Sequence, residues 1–153
     1  MCGIAGIFLL DSANKDKLKS IEKMTDALTH RGPDDEGFYF NDKIGLGHRR
    51  LNIIDLSTNA KQPMFNEDHS LVLVFNGEIY NFQELRKDLI KKGHTFKSQS
   101  DSEVILHLYE DHQTDCTKYL EGMFAFAIYD IQHEKLFLAR DRLGEKPLYY
   151  YKT

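Results

Sequence analysis

Met1-Cys2-Gly3-Ile4-Ala5-Gly6-Ile7-Phe8 opens the chain. A cysteine directly follows the initiator methionine, and an apolar run over residues 4–10 follows the cysteine. That run has strand length and suits a strand covered on both faces. With Met1 removed, Cys2 would carry a thiol and a free α-amine on one residue. The thiol is a nucleophile, and the amine, with a reference pKa of roughly 7.7–8.0, is a proton acceptor at neutral pH. A nucleophile and its base in one residue is the N-terminal-nucleophile arrangement, which needs no catalytic histidine elsewhere. The plain alternative is an incidental residue 2 on a frayed terminus. These eight residues alone do not choose between the two.

Working outward, residues 11–14 turn the chain into a helix starting near Lys15, with Leu18, Ile21, Met24 and Leu28 at helical spacing on one inward face. Arg31-Gly32-Pro33-Asp34 stops it. Residues 38–40 and 44–48 read as a hairpin across Asn41-Asp42, and residues 50–54 alternate polar and apolar as a half-buried strand would. Leu71-Val72-Leu73-Val74-Phe75 is the strongest strand signal. Asn81 with Glu84, and Ser100 with Glu103, are N-terminal signatures for two helices, the first stopped by Gly93 and the second ending near His112. Residues 123–129 and 135–139 predict a second hairpin, and residues 148–151 the start of a further strand. Strands at both ends with helices between them predict a single layered α+β domain.

The chain has 153 residues, 41% hydrophobic and 29% charged, with a net charge of −4. This is an ordinary globular composition. No basic stripe is present, which argues against nucleic acid and anionic membranes as partners. No apolar run approaches the roughly 20 residues of a membrane span. The N-terminus lacks the basic flank of a secretory signal, so the cytoplasm is the expected compartment. Two cysteines make no disulfide framework. Cys116 has no histidine or cysteine at metal-ligand spacing and reads as a bystander. No Gly-rich phosphate cradle occurs, so nucleotide binding has no support. No metal is expected in this chain.

Asn76-Gly77 follows the strongest strand. It reads either as a hairpin turn or as a pair of donors, with Gly77 letting the backbone approach a ligand. Arg50 and Asp101, taken singly, read as structural ion pairs or surface charges. His48 neighbours Arg50 but is read as structural.

Taken together, Met1-Cys2-Gly3-Ile4-Ala5-Gly6-Ile7, Arg31-Gly32-Pro33-Asp34, Gly47-His48-Arg49-Arg50-Leu51, Ile53-Ile54-Asp55-Leu56 and Gln62-Pro63-Met64 fall in one order. Phe75-Asn76-Gly77-Glu78-Ile79-Tyr80-Asn81, Ser100-Asp101-Ser102-Glu103, Gly122-Met123-Phe124-Ala125-Phe126 and Ala139-Arg140-Asp141-Arg142-Leu143-Gly144 continue it. This order resembles the glutaminase domain of class II glutamine amidotransferases, most closely that of glutamine-hydrolysing asparagine synthetases. The resemblance implies an N-terminal-nucleophile hydrolase fold, a four-layer α-β-β-α sandwich with antiparallel sheets. It implies that Cys2 attacks the glutamine carboxamide while its own α-amine shuttles protons. Asn76 and Gly77 would form the oxyanion hole. Arg50 would hold the α-carboxylate, and Asp101 with Glu78 the α-ammonium. The backbone of Leu51, Asn52, Ile53 and Ile54 would line the pocket. A guanidinium suits a carboxylate and carboxylates suit an ammonium, so these roles are chemically coherent. Arg31 and Asp34 would shape a loop beside the pocket or form an internal ion pair.

The resemblance also implies a large synthetase domain after residue 153, using ATP and Mg, and it leaves a homodimer open. On that expectation the chain is a glutaminase domain cut short near its C-terminal end, with no cofactor of its own. The alternative expectation is a catalytically inactive glutamine-binding or partner-docking domain, silenced by truncation or by a retained Met1.

Overall fold

Alternation along two strands explains the layers. A computed structural model describes residues 1–10, 19–51 and 58–152. Ile44–Arg50 (β3) sends Ile44 and Leu46 into one apolar cluster with Val72 and Val74. Its odd residues, Gly45 and Gly47, face a short helix, Ser20–Asp26 (α1). Leu71–Ile79 (β5) does the same: Val72 and Val74 point towards β3, while Leu71, Leu73, Phe75 and Ile79 enter a second cluster. That second cluster is built with Phe82–Lys91 (α2) and Glu103–His112 (α3). A strand covered on both faces has no polar side to show, which is why residues 71–75 are uniformly apolar.

Gly3–Phe8 (β1) and Asp35–Phe40 (β2) flank β3 in an antiparallel sheet of order β1-β3-β2. Met64–Phe65 (β4), β5, Gly122–Asp130 (β6) and Lys135–Arg140 (β7) form a second antiparallel sheet in that order. The layers are therefore α1, first sheet, second sheet, then α2 with α3. This is the four-layer α-β-β-α arrangement the resemblance implied.

Several local expectations change. Met24 is 42% exposed, and Thr25 takes the inward place beside Ile21. A Cβ on Gly47 would collide with Thr25 Oγ1, so the helix sits close against a glycine groove. The Thr25 hydroxyl donates to Ile21 O at 2.8 Å, which satisfies it in burial. The β1 run, expected to be covered on both faces, is only partly covered. Asn81 occupies the position before α2 but caps nothing with its side chain. Its amide instead donates to Tyr119 O at 2.9 Å, and its oxygen accepts from the Glu121 N–H at 3.1 Å. The capping position of α3 is Ser102 rather than Ser100. Residues 148–151 form no strand: Tyr149, Tyr150 and Tyr151 are 91%, 82% and 89% exposed, and a strand needs a partner to satisfy its backbone. Arg50, expected to open a separate strand over 50–54, instead ends β3, and Leu51 is in no strand. The expected helix start at 11–18 and the alternation at 52–54 lie outside the described residues.

Candidate active site

Side chains alternate along a strand, so even residues of β1, β3 and β5 share the surface between the sheets. Ile4 and Phe8, Ile44 and Leu46, and Val72 and Val74 fill its apolar middle. Continuing each strand's alternation to one end gives Cys2, Arg50 and Asn76. Met123 arrives by the same rule from β6, where Ala127 and Tyr129 belong to that core. These four residues line one cleft with Met1, Leu51, Gln62, Gly77, Glu78, Asp101 and Lys146. The cleft is the place where the core between the sheets turns polar.

Cys2 is not on a frayed end. Its carbonyl accepts from Arg31 Nε at 3.1 Å, its Sγ accepts from the Leu51 N–H at 3.5 Å, and Gly3 pairs with Arg49 across the sheet. Arg31 therefore anchors the terminus rather than pairing with Asp34, whose N–H donates to Arg50 O at 3.1 Å. Met1 lines the cleft too, and Lys146 Nζ lies 3.0 Å from its sulfur. With Met1 attached, the Cys2 nitrogen is an amide and the methionine side chain stands in the cleft.

Asn76-Gly77 is no turn. Both residues lie inside β5, opposite Ala125 and Phe124. The Phe124 N–H donates to Asp141 Oδ2, and its carbonyl accepts from the Asp141 N–H, so Gly77 and Phe124 form a non-hydrogen-bonded pair. The Phe75 N–H donates to Gln62 Oε1 at 2.6 Å and the Ile79 N–H to Asp101 Oδ2 at 2.8 Å. The Gly77 N–H lies between these two on the same strand edge, facing the cleft. The buried Asn76 carboxamide has no hydrogen-bond partner among the described residues. Two donors are thus presented together. The glycine has a further reason: a Cβ there would meet Met123 O and Phe124 Cα of the neighbouring strand.

Charges of opposite sign flank these donors. Arg50 is 8% exposed at the end of β3, and Asp101 is 4% exposed just before α3. Burial, with the Glu78 charge adding to it, raises the Asp101 carboxyl above its usual range. A buried carboxylate in that state suits a cation supplied by a ligand. Leu51 lies beside the thiol, whereas Asn52, Ile53 and Ile54 fall outside the described residues.

Gln62, Met123 and Lys146 also line the cleft and were not singled out from sequence. Gln62 holds β5 through the Phe75 N–H. Lys146 is 5% exposed, and its Nζ lies 3.0 Å from Met123 Sδ. Its loop is set by Asp141, which accepts from the N–H groups of Glu145 and Lys146, each at 2.9 Å. Burial pushes the Asp141 carboxyl up, but these N–H groups outweigh it and hold it below the usual range. The Ala139-to-Gly144 motif is the only sequence signal for this loop, and it names the organiser rather than the lysine.

His48 is buried with Nε2 3.2 Å from Phe75 O. A carbonyl only accepts, so Nε2 carries the proton. Burial lowers its pKa to about 4, so the ring is neutral and tied to backbone, in line with a structural role. Cys116 is buried, and burial raises its thiol to about 12, which leaves it inert at neutral pH.

Stacked antiparallel sheets between helical layers, with a thiol just ahead of the edge strand β1, make the N-terminal-nucleophile hydrolase fold. Two solved structures share the fold. A glutamine phosphoribosylpyrophosphate amidotransferase from B. subtilis aligns with TM-score 0.64 at 22% identity, over 92% of this chain and 36% of that one. An allosteric regulatory enzyme of purine biosynthesis aligns with TM-score 0.69 at 20% identity, over 94% and 38%. The glutamine amidotransferase domain model matches residues 1–153, and the chain belongs to that family. It is 46% identical over 152 residues to asparagine synthetase [glutamine-hydrolyzing] 2 of Bacillus subtilis, covering 98% of this chain and 20% of that protein. It is 46% identical over 151 residues to a probable asparagine synthetase of Dictyostelium discoideum, covering 97% and 27%. The chain thus spans only 20% to 27% of these two relatives' length.

Proposed function

We propose that this chain hydrolyses the side-chain amide of L-glutamine to glutamate and ammonia through a γ-glutamyl thioester on Cys2. One observation carries the reading. A thiol-bearing N-terminus, two donors at Asn76 and Gly77, and the opposed charges of Arg50 and Asp101 all face one cleft. Arg50 takes the α-carboxylate, and Asp101 with Glu78 takes the α-ammonium. The carboxamide then lies against the thiol.

Once Met1 is gone, the free α-amine of Cys2 accepts the thiol proton as sulfur attacks the carboxamide carbon. Asn76 Nδ2 and the Gly77 N–H stabilise the oxyanion. The protonated amine passes its proton to the leaving nitrogen, which departs as ammonia. Water, deprotonated by the same amine, attacks the thioester carbon, and Cys2 leaves as thiol. All of this is done by residues of this chain. We further propose that the ammonia feeds an acceptor in a longer, asparagine-synthetase-like protein, where ATP and Mg would act outside these residues. A cytoplasmic, reducing setting fits the two free cysteines. Among the described residues no helix is long and apolar enough to cross a membrane.

The direct test is an equimolar release of glutamate and ammonia by the Met1-free chain. Trapping of γ-glutamyl hydroxamate by hydroxylamine would report the thioester. Glutamine binding in a calorimeter with no ammonia released would overturn the reading in favour of a binding domain.

Asp101→Asn gives a second expectation. The folded Asp101 pKa lies above its unfolded value, so the native state holds that proton more tightly. The resulting stabilisation is present below the unfolded value and is lost as pH rises through the folded one. At neutral pH the ionised carboxylate is a cost in the substrate-free chain. Asparagine keeps an oxygen for the Ile79 N–H and removes that charge. Asp101→Asn should therefore melt higher than the parent without substrate. It should also lose roughly 100- to 1,000-fold in kcat/KM, because a bound ammonium loses its counter-charge. A lower melting point with normal kcat/KM would remove Asp101 from the substrate site.

A further inference from the structure

Outside the cleft, side chains from three separate stretches converge where α3 meets the loop after α2. Ligand-competent atoms of Glu67, His94 and His107 all lie within 4.8 Å of one another. Glu110 joins them: its Oε2 is 3.1 Å from His107 Nδ1 and 3.2 Å from His94 Nδ1. Glu67 Oε2 is 3.7 Å from His107 Nδ1. Tetrahedral zinc, with bonds of about 2.0–2.2 Å, holds its ligand atoms roughly 3.3–3.5 Å apart. Of the six spacings among these four atoms, the three at 3.1, 3.2 and 3.7 Å straddle that value.

The outer layer has the form expected around a metal. His94 Nε2 is 3.0 Å from Asp111 Oδ1, which would orient the ring with Nδ1 inward. Glu110 Oε1 accepts from Asn66 Nδ2 at 2.7 Å, and Glu67 Oε1 accepts from the Thr95 N–H at 3.2 Å. His107 is the exception: it is 1% exposed, and its Nε2 is buried without a hydrogen-bond partner, 3.9 Å from Glu103 Oε1. Outer partners of this kind are what fix ligand geometry in metal sites. The competing account is a set of histidine–glutamate ion pairs in which two N–H donors share one Glu110 oxygen. A cation between the groups would replace both protons.

We propose that Glu67, His94, His107 and Glu110 form a structural site for a borderline divalent cation of the Zn2+ type. Two imidazoles with two carboxylates suit such an ion better than Ca2+ or Mg2+, which take oxygen ligands alone. The ion would tie Glu67 and His94 to the middle of α3. Because the segment leading into α3 carries Asp101, the ion would brace one wall of the cleft. The inference stands independently of the hydrolytic reading.

The test uses the untagged chain, stripped with a chelator and titrated with Co2+ and then Zn2+. Binding of one Co2+ per chain with tetrahedral visible absorption is expected, followed by displacement by Zn2+. Zinc at about 100 times its Kd should raise Tm by roughly 5–10 °C. Glu67→Gln and His94→Gln should each weaken binding by at least roughly 100-fold while keeping the metal-free melting point, whereas Cys2→Ala should bind as the parent does. No uptake of either ion at about 1 mM, undiminished uptake by the Glu67→Gln/His94→Gln double variant, or loss of uptake in Cys2→Ala would each overturn the site.

Discussion

Cys2→Ala is expected to lower glutamine turnover by at least about 10,000-fold, the scale seen when a covalent nucleophile is removed. A glutamine-like electrophile such as diazo-oxo-norleucine should add once to the Met1-free parent, on Cys2, and not at all to the variant. The selectivity follows from the surroundings of the two thiols. Cys116 is buried and its thiol is held near 12, whereas Cys2 is partly open and lines the cleft. Retaining Met1 should cost as much as losing the thiol, for two reasons. The Cys2 nitrogen becomes an amide without a basic lone pair, and the Met1 side chain stands in the cleft beside Lys146. Intact mass measured beside activity separates these cases. Adduct formation that persists in Cys2→Ala would sink the nucleophile assignment.

Asn76→Ala should lower kcat by roughly 100- to 1,000-fold with little change in KM, the usual consequence of losing one oxyanion donor. Asn76 lies on the face of β5 that points between the sheets, and its carboxamide is unengaged by other described residues. Removing it leaves the Gly77 N–H as the remaining donor. Because that donor is backbone, fixed by pairing between β5 and β6, catalysis should fall without vanishing. An unchanged kcat would remove Asn76 from the oxyanion hole. A raised KM at normal kcat would make it a substrate-binding residue instead.

Much of the layered core could be read along the chain. The apolar run at 71–75 marked a strand, and the two hairpins and the helices after Asn81 and Ser102 appear close to their expected positions. Local signals misled where a polar side chain had a better partner elsewhere. Asn81 looked like a cap but ties down Tyr119 and Glu121. Asn76-Gly77 looked like a turn because that dipeptide favours one, yet pairing with β6 holds both residues extended. Met24 has the apolar character of a core residue, but the glycine groove of β3 selects Thr25.

The site divides in the same way. Ordered motifs singled out Cys2, Arg50, Asn76, Gly77, Glu78 and Asp101, and the structure brings all six to one cleft. Gln62 and Met123 lay inside the ordered motifs but were given no role, and Lys146 lay outside all of them, since a glutamine, a methionine and a lysine in loops or strand ends are ordinary surface or filler residues. Glu67, His94, His107 and Glu110 were invisible as a set, because no short motif joins residues that far apart.

By itself the sequence determined which face each residue takes, since a strand's alternation is fixed by backbone geometry. Only the structure carried β3 on to Arg50 and β5 on through Asn76, which puts Arg50 in step with Leu46 and Asn76 with Val74. Only the tertiary structure decided that these strands stack with their polar ends together. Antiparallel pairing of β1 with β3, and packing of that sheet on β5, set the thiol, the guanidinium and the donors around one opening. Alternation is local, but which ends meet is a property of register and packing, and these are long-range contacts that no single stretch contains.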